Sequence, residues 1–281
     1  MEESRIVEIK EDIFADNTNA ANAFRKMLEN QGTFFVDVMA SPGAGKTTLL
    51  LALIEELRKS SSIGIIEADL ESFVDSRKIK DAGIQAVQLE TRGICHVEMS
   101  MVERAFQAFG GQHFDYLFLE NIGNLVCPAE FDTGAHKRVM LLSVPEGYDK
   151  VYKYPPMFAV VDALIVTKTD YLPLNPDFDM AALHKQARVL NPHLEIFETC
   201  ARTGEGIREL AEWIVACRKE LLGVEQLSTP SVQYTERFCH NFVQYTEQTA
   251  EQCEAFTDSE VLRISETRNS RRTSSNGSVK T

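Results

Sequence analysis

No stretch of this chain approaches the roughly 20 apolar residues that a membrane-spanning helix needs, so no membrane association is expected. Positive charge is also scarce: 29 Lys and Arg stand against 42 Asp and Glu, a formal net charge of -13. Recognition of a phosphate backbone requires clustered basic residues, so no nucleic-acid partner is expected. The acid excess reads as solubility. The first residues, Met1-Glu2-Glu3-Ser4-Arg5, are acidic and no apolar run follows them. A secretory signal is therefore not expected, and a cytoplasmic location is. In that compartment the six cysteines are expected as thiols. Each is core filler, metal ligand or reactive group, with core filler as the default.

What is present is ordinary for a globular chain: 281 residues, 44% hydrophobic and 25% charged, enough for one large domain or two small ones. Residues 1–33 read as a lead-in. Within it Thr18–Gln31 has Ala21, Phe24 and Leu28 at helical spacing, with Gly32 just past the end. Short apolar, partly β-branched runs then predict strands at Phe34–Ala40, Ile63–Glu67, Tyr116–Glu120, Val139–Val144, Ala163–Thr167 and Leu194–Phe197. Helical patterns fall at Thr47–Arg58, His96–Phe109, Met180–Leu190 and Gly206–Leu222. This alternation predicts a three-layer α/β/α domain over 34–222, with a mainly parallel sheet. Residues 223–281 are expected to be a separate extension. Val232-Gln233-Tyr234-Thr235-Glu236 returns eleven residues later as Val243-Gln244-Tyr245-Thr246-Glu247, about three helical turns on, which predicts an amphipathic helix packed on the domain or on a partner. From Ser265 the composition is Ser-, Arg- and Thr-rich, which predicts disorder.

The strongest motif is Ala40-Ser41-Pro42-Gly43-Ala44-Gly45-Lys46-Thr47, between a strand and a helix. It is a P-loop: glycines admit the phosphates, backbone N–H groups turn inward, and the helix N-terminus adds a favourable dipole. Lys46 is expected on the β- and γ-phosphates and the Thr47 hydroxyl on Mg²⁺. Further Mg²⁺ oxygens are sought at strand ends: Asp69 after the second strand, and Glu120 in the Walker B place. Asp75 lies six residues after Asp69 and is a candidate for the metal or the attacking water.

The base is indicated by Thr167-Lys168-Thr169-Asp170, directly after a strand. It resembles the Asn-Lys-x-Asp element that reads guanine. A carboxylate accepts from both guanine N1–H and its amino group, and adenine has no such pair. Lys168 is expected along the purine ring. Thr167 stands for the usual Asn. Cys200-Ala201-Arg202 resembles the Ser-Ala-Lys loop behind the base. Cys95-His96, expected to open a helix, and Cys127, on a neighbouring loop, form a candidate soft-metal set, since a helix N-terminus favours a thiolate. Read from composition alone, such a set is more often structural. Three donors also leave a nickel or zinc shell incomplete, and a second subunit could complete it. Cys217, Cys239 and Cys253 stay with the core-filler reading. So do His113, His136, His184, His193 and His240.

Residues Asp12 to Leu222 resemble the hydrogenase nickel-incorporation GTPases of the HypB type. The resemblance rests on Ser41 through Thr48, on Cys95-His96, on the long run Glu120-Asn121-Ile122-Gly123-Asn124-Leu125-Val126-Cys127-Pro128-Ala129-Glu130-Phe131-Asp132, and on Lys153-Tyr154-Pro155-Pro156-Met157-Phe158. It implies a GTPase that holds GTP or GDP with Mg²⁺ through Gly43, Ala44, Gly45, Lys46, Thr47, Thr48, Asp69, Lys168, Asp170 and Ala201, with Lys46, Asp75 and Glu120 in the catalytic set. It implies a GTP-dependent homodimer with Ni²⁺ or Zn²⁺ on Cys95, His96 and Cys127. It also implies a nickel-enzyme precursor, the hydrogenase large subunit, and a companion maturation protein as partners. The chain departs from some members in having no Cys before Cys95 and no His run, so nickel storage at its N-terminus is not expected. The rival readings are a nickel GTPase for another enzyme such as urease, a metal-binding scaffold with a weak nucleotide site, and an ATP-driven P-loop protein.

Overall fold

The computed structural model describes residues 2–69, 83–91 and 93–223, and for residues 2–14 and Asp69 the backbone alone. The repeat at 232–247 and the Ser-rich end lie outside the described residues. Seven strands form one sheet: β1 Phe34–Ala40, β2 Ile63–Asp69, β3 Gln85–Glu90, β4 Tyr116–Gly123, β5 Lys137–Ser143, β6 Ala163–Thr167 and β7 Glu195–Glu198. Their order is β3-β2-β4-β1-β5-β6-β7, and every pairing is parallel. The helices among the described residues are α1 Glu2–Gln31, α2 Lys46–Leu57, α3 Met99–Gln107, α4 Lys150–Lys153, α5 Pro155–Val160, α6 Met180–Leu190 and α7 Ile207–Leu221.

Strand side chains alternate between two buried faces, which is why the central strands read as unbroken apolar runs. Phe34, Val36, Val38, Ile65, Phe118, Val139, Leu141 and Ile165 pack beneath α2 and α7. On the other face Phe35, Ile66, Leu117 and Leu119 meet α1 and α3. Met39, Met140, Leu142, Leu164 and Val166 meet α5 and α6. The three-layer expectation therefore stands, with the sheet wholly parallel.

Several boundaries differ from the sequence reading, each for a physical reason. Helix α1 begins at Glu2, not Thr18. Asn17 lies within it, and its carboxamide is spent on another helix, where its Oδ1 accepts the Met99 N–H at 3.0 Å. Strand β3 escaped notice because it is an edge strand whose residues Gln85–Glu90 are none of them fully buried. Strand β4 runs on to Gly123, so Glu120 lies inside the strand and not at its end. The expected helix at His96 starts at Met99, after an extended Glu98. The short helices α4 and α5, with Pro155 at the first position of α5, were not foreseen.

Two buried polar groups brace the frame. Asp37 of β1 is fully buried and accepts from Asn121 at 3.0 and 3.2 Å and from Thr133 at 2.8 Å. Burial pushes its carboxyl up, against the opposing pull of the Arg138 charge and those hydrogen bonds. His136 stacks on Phe34 and accepts the Phe35 N–H at 2.8 Å through Nδ1. Burial pushes that imidazole down to about 4. His136 is therefore a core residue, as expected.

Candidate functional site: a nucleotide cradle beside a thiol–imidazole cluster

The loop Ser41–Gly45 leaves β1, the strand flanked by β4 and β5, and enters α2. Gly45 sits at φ 99°, a left-handed conformation that a side chain would strain. Lys168 is the one non-glycine residue at positive φ among the described residues, at 59°. That turn carries its Nζ to the Gly43 carbonyl at 2.7 Å, while the Thr167 hydroxyl donates to the Ala44 carbonyl at 2.7 Å. Two carbonyls of the loop are thereby taken from outside, leaving its N–H groups for an anion. Thr167 thus serves in the place of the expected Asn by bridging to the P-loop.

Two cavities open side by side here. One of about 500 Å³ is lined by Pro42, Gly43, Lys46, Thr47, Glu67 and Glu120. The other, about 430 Å³, is lined by Ala44, Leu49, Asp170, Tyr171, Cys200, Ala201 and Arg202. Gly45, Thr48 and Lys168 border both. The first has the shape and groups for phosphates, the second for a base. In the second, Asp170 accepts from Cys200 Sγ at 3.2 Å and from Arg202 Nη2 at 2.8 Å. In the first, the Thr47 hydroxyl donates to Glu120 Oε1 at 2.6 Å.

The structure thus brings together Gly43, Ala44, Gly45, Lys46, Thr47, Thr48, Glu120, Lys168, Asp170 and Ala201. Asp69 ends β2 at the same edge of the sheet. Asp75 lies outside the described residues. Two acids were missed. Glu67, in register with Glu120 on the neighbouring strand, is buried at 4% exposure and borders the phosphate cavity. Its signal is an acid inside an apolar strand. Glu146 accepts from the Ser41 hydroxyl and closes a capping box with Ser143, whose hydroxyl donates to it at 2.7 Å. The Ser-x-x-Glu spacing was its signal.

The thiol cluster lies on two other loops. Cys95 Sγ and Cys127 Sγ are 2.9 Å apart, and His96 Nδ1 is 3.8 Å from Cys95 Sγ. The His96 ring stacks on Phe131, centroids 3.7 Å apart, and its Nε2 lies 3.3 Å from Glu98 Oε1. Among the described residues no group of three His, Cys, Asp or Glu side chains is placed to hold a metal ion. The expected thiolate at a helix N-terminus is corrected here. Cys95 stands four residues ahead of α3, and the hydrogen bond with Cys127 raises its thiol, with burial adding to that. Close sulfurs resist a second deprotonation unless a cation lies between them. Cys217, in α7, is pushed up to about 11 by burial and lies far from such chemistry. Cys239 and Cys253 are outside the described residues.

One segment, Glu120 to Asp132, joins the two halves. Glu120 holds Thr47, and Asn121 holds Asp37. Gly123 lies against the P-loop, where a Cβ would come within 3.0 Å of Pro42 Cγ and 3.2 Å of its backbone. Asn124 donates to the Cys95 carbonyl at 3.0 Å and accepts the Val126 N–H at 2.9 Å. Cys127 meets Cys95, and Phe131 meets His96. Arg138, almost fully buried, donates to the carbonyls of Pro128 and Phe131. Asp132 takes both its oxygens to Arg25, at 2.7 and 2.9 Å.

Comparison with known proteins agrees with this geometry. Residues 35–198 match the family described as CobW/HypB/UreG, nucleotide-binding domain. The hydrogenase maturation factor HypB of Azotobacter chroococcum is 42% identical over 214 residues, 76% of this chain and 70% of that protein. The hydrogenase/urease maturation factor HypB of Helicobacter hepaticus is 36% identical over 212 residues, 74% and 86% of the two chains. Among solved structures, Helicobacter pylori HypB in complex with nickel superposes with a TM-score of 0.70 at 32% identity, covering 77% of this chain and all of that one. The matched span, the P-loop after β1 and the thiols paired between the β3–α3 and β4–β5 connections lead to one assignment: the chain belongs to the CobW/HypB/UreG nucleotide-binding family and, within it, to the HypB type.

Proposed function

We propose that this chain is a GTP-hydrolysing metallochaperone, in which GTP-dependent dimerisation governs nickel delivery during nickel–iron hydrogenase maturation. The observation that carries the reading is the segment Glu120–Cys127, which touches Thr47 at one end and Cys95 at the other. A change at the phosphates is thereby a change at the thiols. In this reading Lys46 holds the β- and γ-phosphates and Asp170 reads the guanine edge. Asp75 orients the attacking water. The oxygens of Thr47 and Glu120, 2.6 Å apart beside the phosphate cavity, suit a hard divalent cation, with Asp69 as a further ligand. Mg²⁺ held there would offset the charge that builds on the phosphates.

Nickel is the cargo. Two sulfurs and one imidazole suit it and leave its shell open, so a second copy of the chain supplies the remaining donors. Exposed Ile94 and Val126 precede the two cysteines and give that contact an apolar rim. Loss of the γ-phosphate releases the loops, the two subunits part, and nickel passes to the hydrogenase precursor, with a companion maturation protein assisting. Intrinsic turnover is slow, since no arginine is assigned to the transferring phosphate. A second reading, delivery to another nickel enzyme, is favoured by the Helicobacter hepaticus relative, whose name joins hydrogenase to urease.

The base assignment is tested by Asp170→Asn. The carboxamide offers one donor and one acceptor, so GTP affinity is expected to fall about 100-fold while xanthosine triphosphate, with its 2-oxo group, gains. Unchanged GTP affinity, measured by fluorescence titration, would return the ATP reading.

A further inference from the structure

We infer that α1 is a brace for the thiol–imidazole cluster, in which Asn17 is a positioning residue that fixes the separation of its two donor loops, with Arg25 holding one of those loops, and so sets the affinity for nickel. The inference rests on the reading of Cys95, His96 and Cys127 as nickel donors.

The two donor loops belong to different connections, one between β3 and α3, the other between β4 and β5. Asn124 on the Cys95 carbonyl and Phe131 on His96 join them directly, and α1 adds a grip from outside either loop. Asn17 spans them. Its Oδ1 accepts the N–H of Met99, three residues after His96, at 3.0 Å. Its Nδ2 donates to the carbonyl of Asp132, five residues after Cys127, at 2.8 Å. A carboxamide is planar, with donor and acceptor at a fixed short separation, so satisfying both bonds leaves little play between the loops. Glu98 provides α3 with no side-chain cap. Asn17 thus supplies from another helix what the first turn of α3 lacks.

Two turns on, Arg25 grips the Cys127 loop alone. It is 7% exposed, donates through Nη2 to both oxygens of Asp132 and through Nε to the Ala135 carbonyl at 3.1 Å. Asp132 in turn accepts the Gly134 N–H at 2.9 Å, which shapes the end of the Cys127 loop. Ala21, Phe24 and Leu28 between and beyond these residues anchor the helix on the sheet. Anchoring needs only those apolar contacts. The polar pair adds direction, and that direction is toward the donor loops. Outer-sphere partners of this kind govern how well ligands are presented.

The test is a nickel titration of the full-length reduced protein, followed by the thiolate-to-nickel charge-transfer absorption, in wild type, Cys95→Ser, Cys127→Ser, Asn17→Ala and Asn17→Asp, with GDP affinity measured on each. Asn17→Asp is isosteric; it keeps the acceptor for Met99 and loses the donor for Asp132. The expected result is cysteine-dependent nickel binding in wild type, weakened about tenfold in both Asn17 variants with a shifted charge-transfer band, and GDP affinity within about twofold of wild type. Asn17 variants that bind nickel like wild type, while the cysteine variants do not, would overturn the brace and leave the nickel site standing. A matching loss of GDP affinity would also overturn it, since that marks general loosening. Wild-type binding that ignores both cysteines would remove the nickel reading and the brace together.

Discussion

Around the P-loop, position is set largely by backbone: left-handed Gly45, left-handed Lys168, and carbonyls of Gly43 and Ala44 gripped from the next loop. Around the thiols, position is set by side chains sent from far along the chain. Asn17 and Arg25 reach from α1, Asn121 and Arg138 tie to the sheet, and Asn124 crosses to Cys95. In the proposed reading the first half is complete within one chain, and the second takes its remaining donors from another copy. If the thiols carry nickel as proposed, contacts that a distant event can move suit its release, and Glu120–Cys127 is where such an event would enter.

That contrast can be broken at several points. The largest effect is expected for Arg138→Met, which leaves Asp37 buried without its compensating charge and frees the carbonyls of Pro128 and Phe131. Unfolding free energy should drop by about 3–5 kcal/mol in denaturant titration. A loss below about 1 kcal/mol would show that Arg138 does not hold the thiol half. Acid acts instead on the frame that both halves share. The His136 imidazole is held near 4 in the folded chain, below its ordinary 6.5, so the unfolded chain binds the extra proton and stability falls as pH drops from about 6.5 through 4. The loss approaches about 3 kcal/mol. His136→Asn should remove most of that slope; an unchanged slope would place the acid sensitivity elsewhere.

Lys46→Ala addresses the nucleotide half alone. GTP affinity should fall about 100-fold, while nickel affinity measured without nucleotide stays at the wild-type value. Asn124→Ala addresses the thiol half alone and is the smallest of these effects. Nickel should bind about fivefold more weakly, with GDP affinity unchanged by calorimetry. Equal damage to both ligands in either variant would erase the distinction between the halves.

The same contrast decides what was legible in the sequence. The sheet core, the P-loop and Lys168–Asp170 follow from local pattern: alternation, glycine spacing, a strand before and a helix after. Strand Ala163–Thr167 and helix Met180–Leu190 were placed to the residue. The pairing of Cys95 with Cys127 was suggested by residue type and resemblance. The bonds that hold it were not visible, because they are tertiary, joining residues as far apart as Arg25 and Asp132, 107 positions, and leaving no local pattern. The role of Asn17 was hidden for the same reason: its partner Met99 lies on a different helix, 82 positions on. Glu67 and Glu146 carried local signals that were passed over. The thiolate expected for Cys95 failed because Cys127 lies against its sulfur and raises the thiol, and because the helix begins three residues later than the pattern suggested.

The central claim is coupling between the two halves, and a nickel titration with and without a non-hydrolysable GTP analogue tests it most directly. Subunit assembly would be followed in the same samples, with Cys95→Ala and Cys127→Ala as controls. The account predicts that the analogue shifts nickel affinity as dimers form, that nickel shifts analogue affinity by the same factor, and that both cysteine variants abolish the shift. Nickel affinity that is identical with and without the analogue would contradict it.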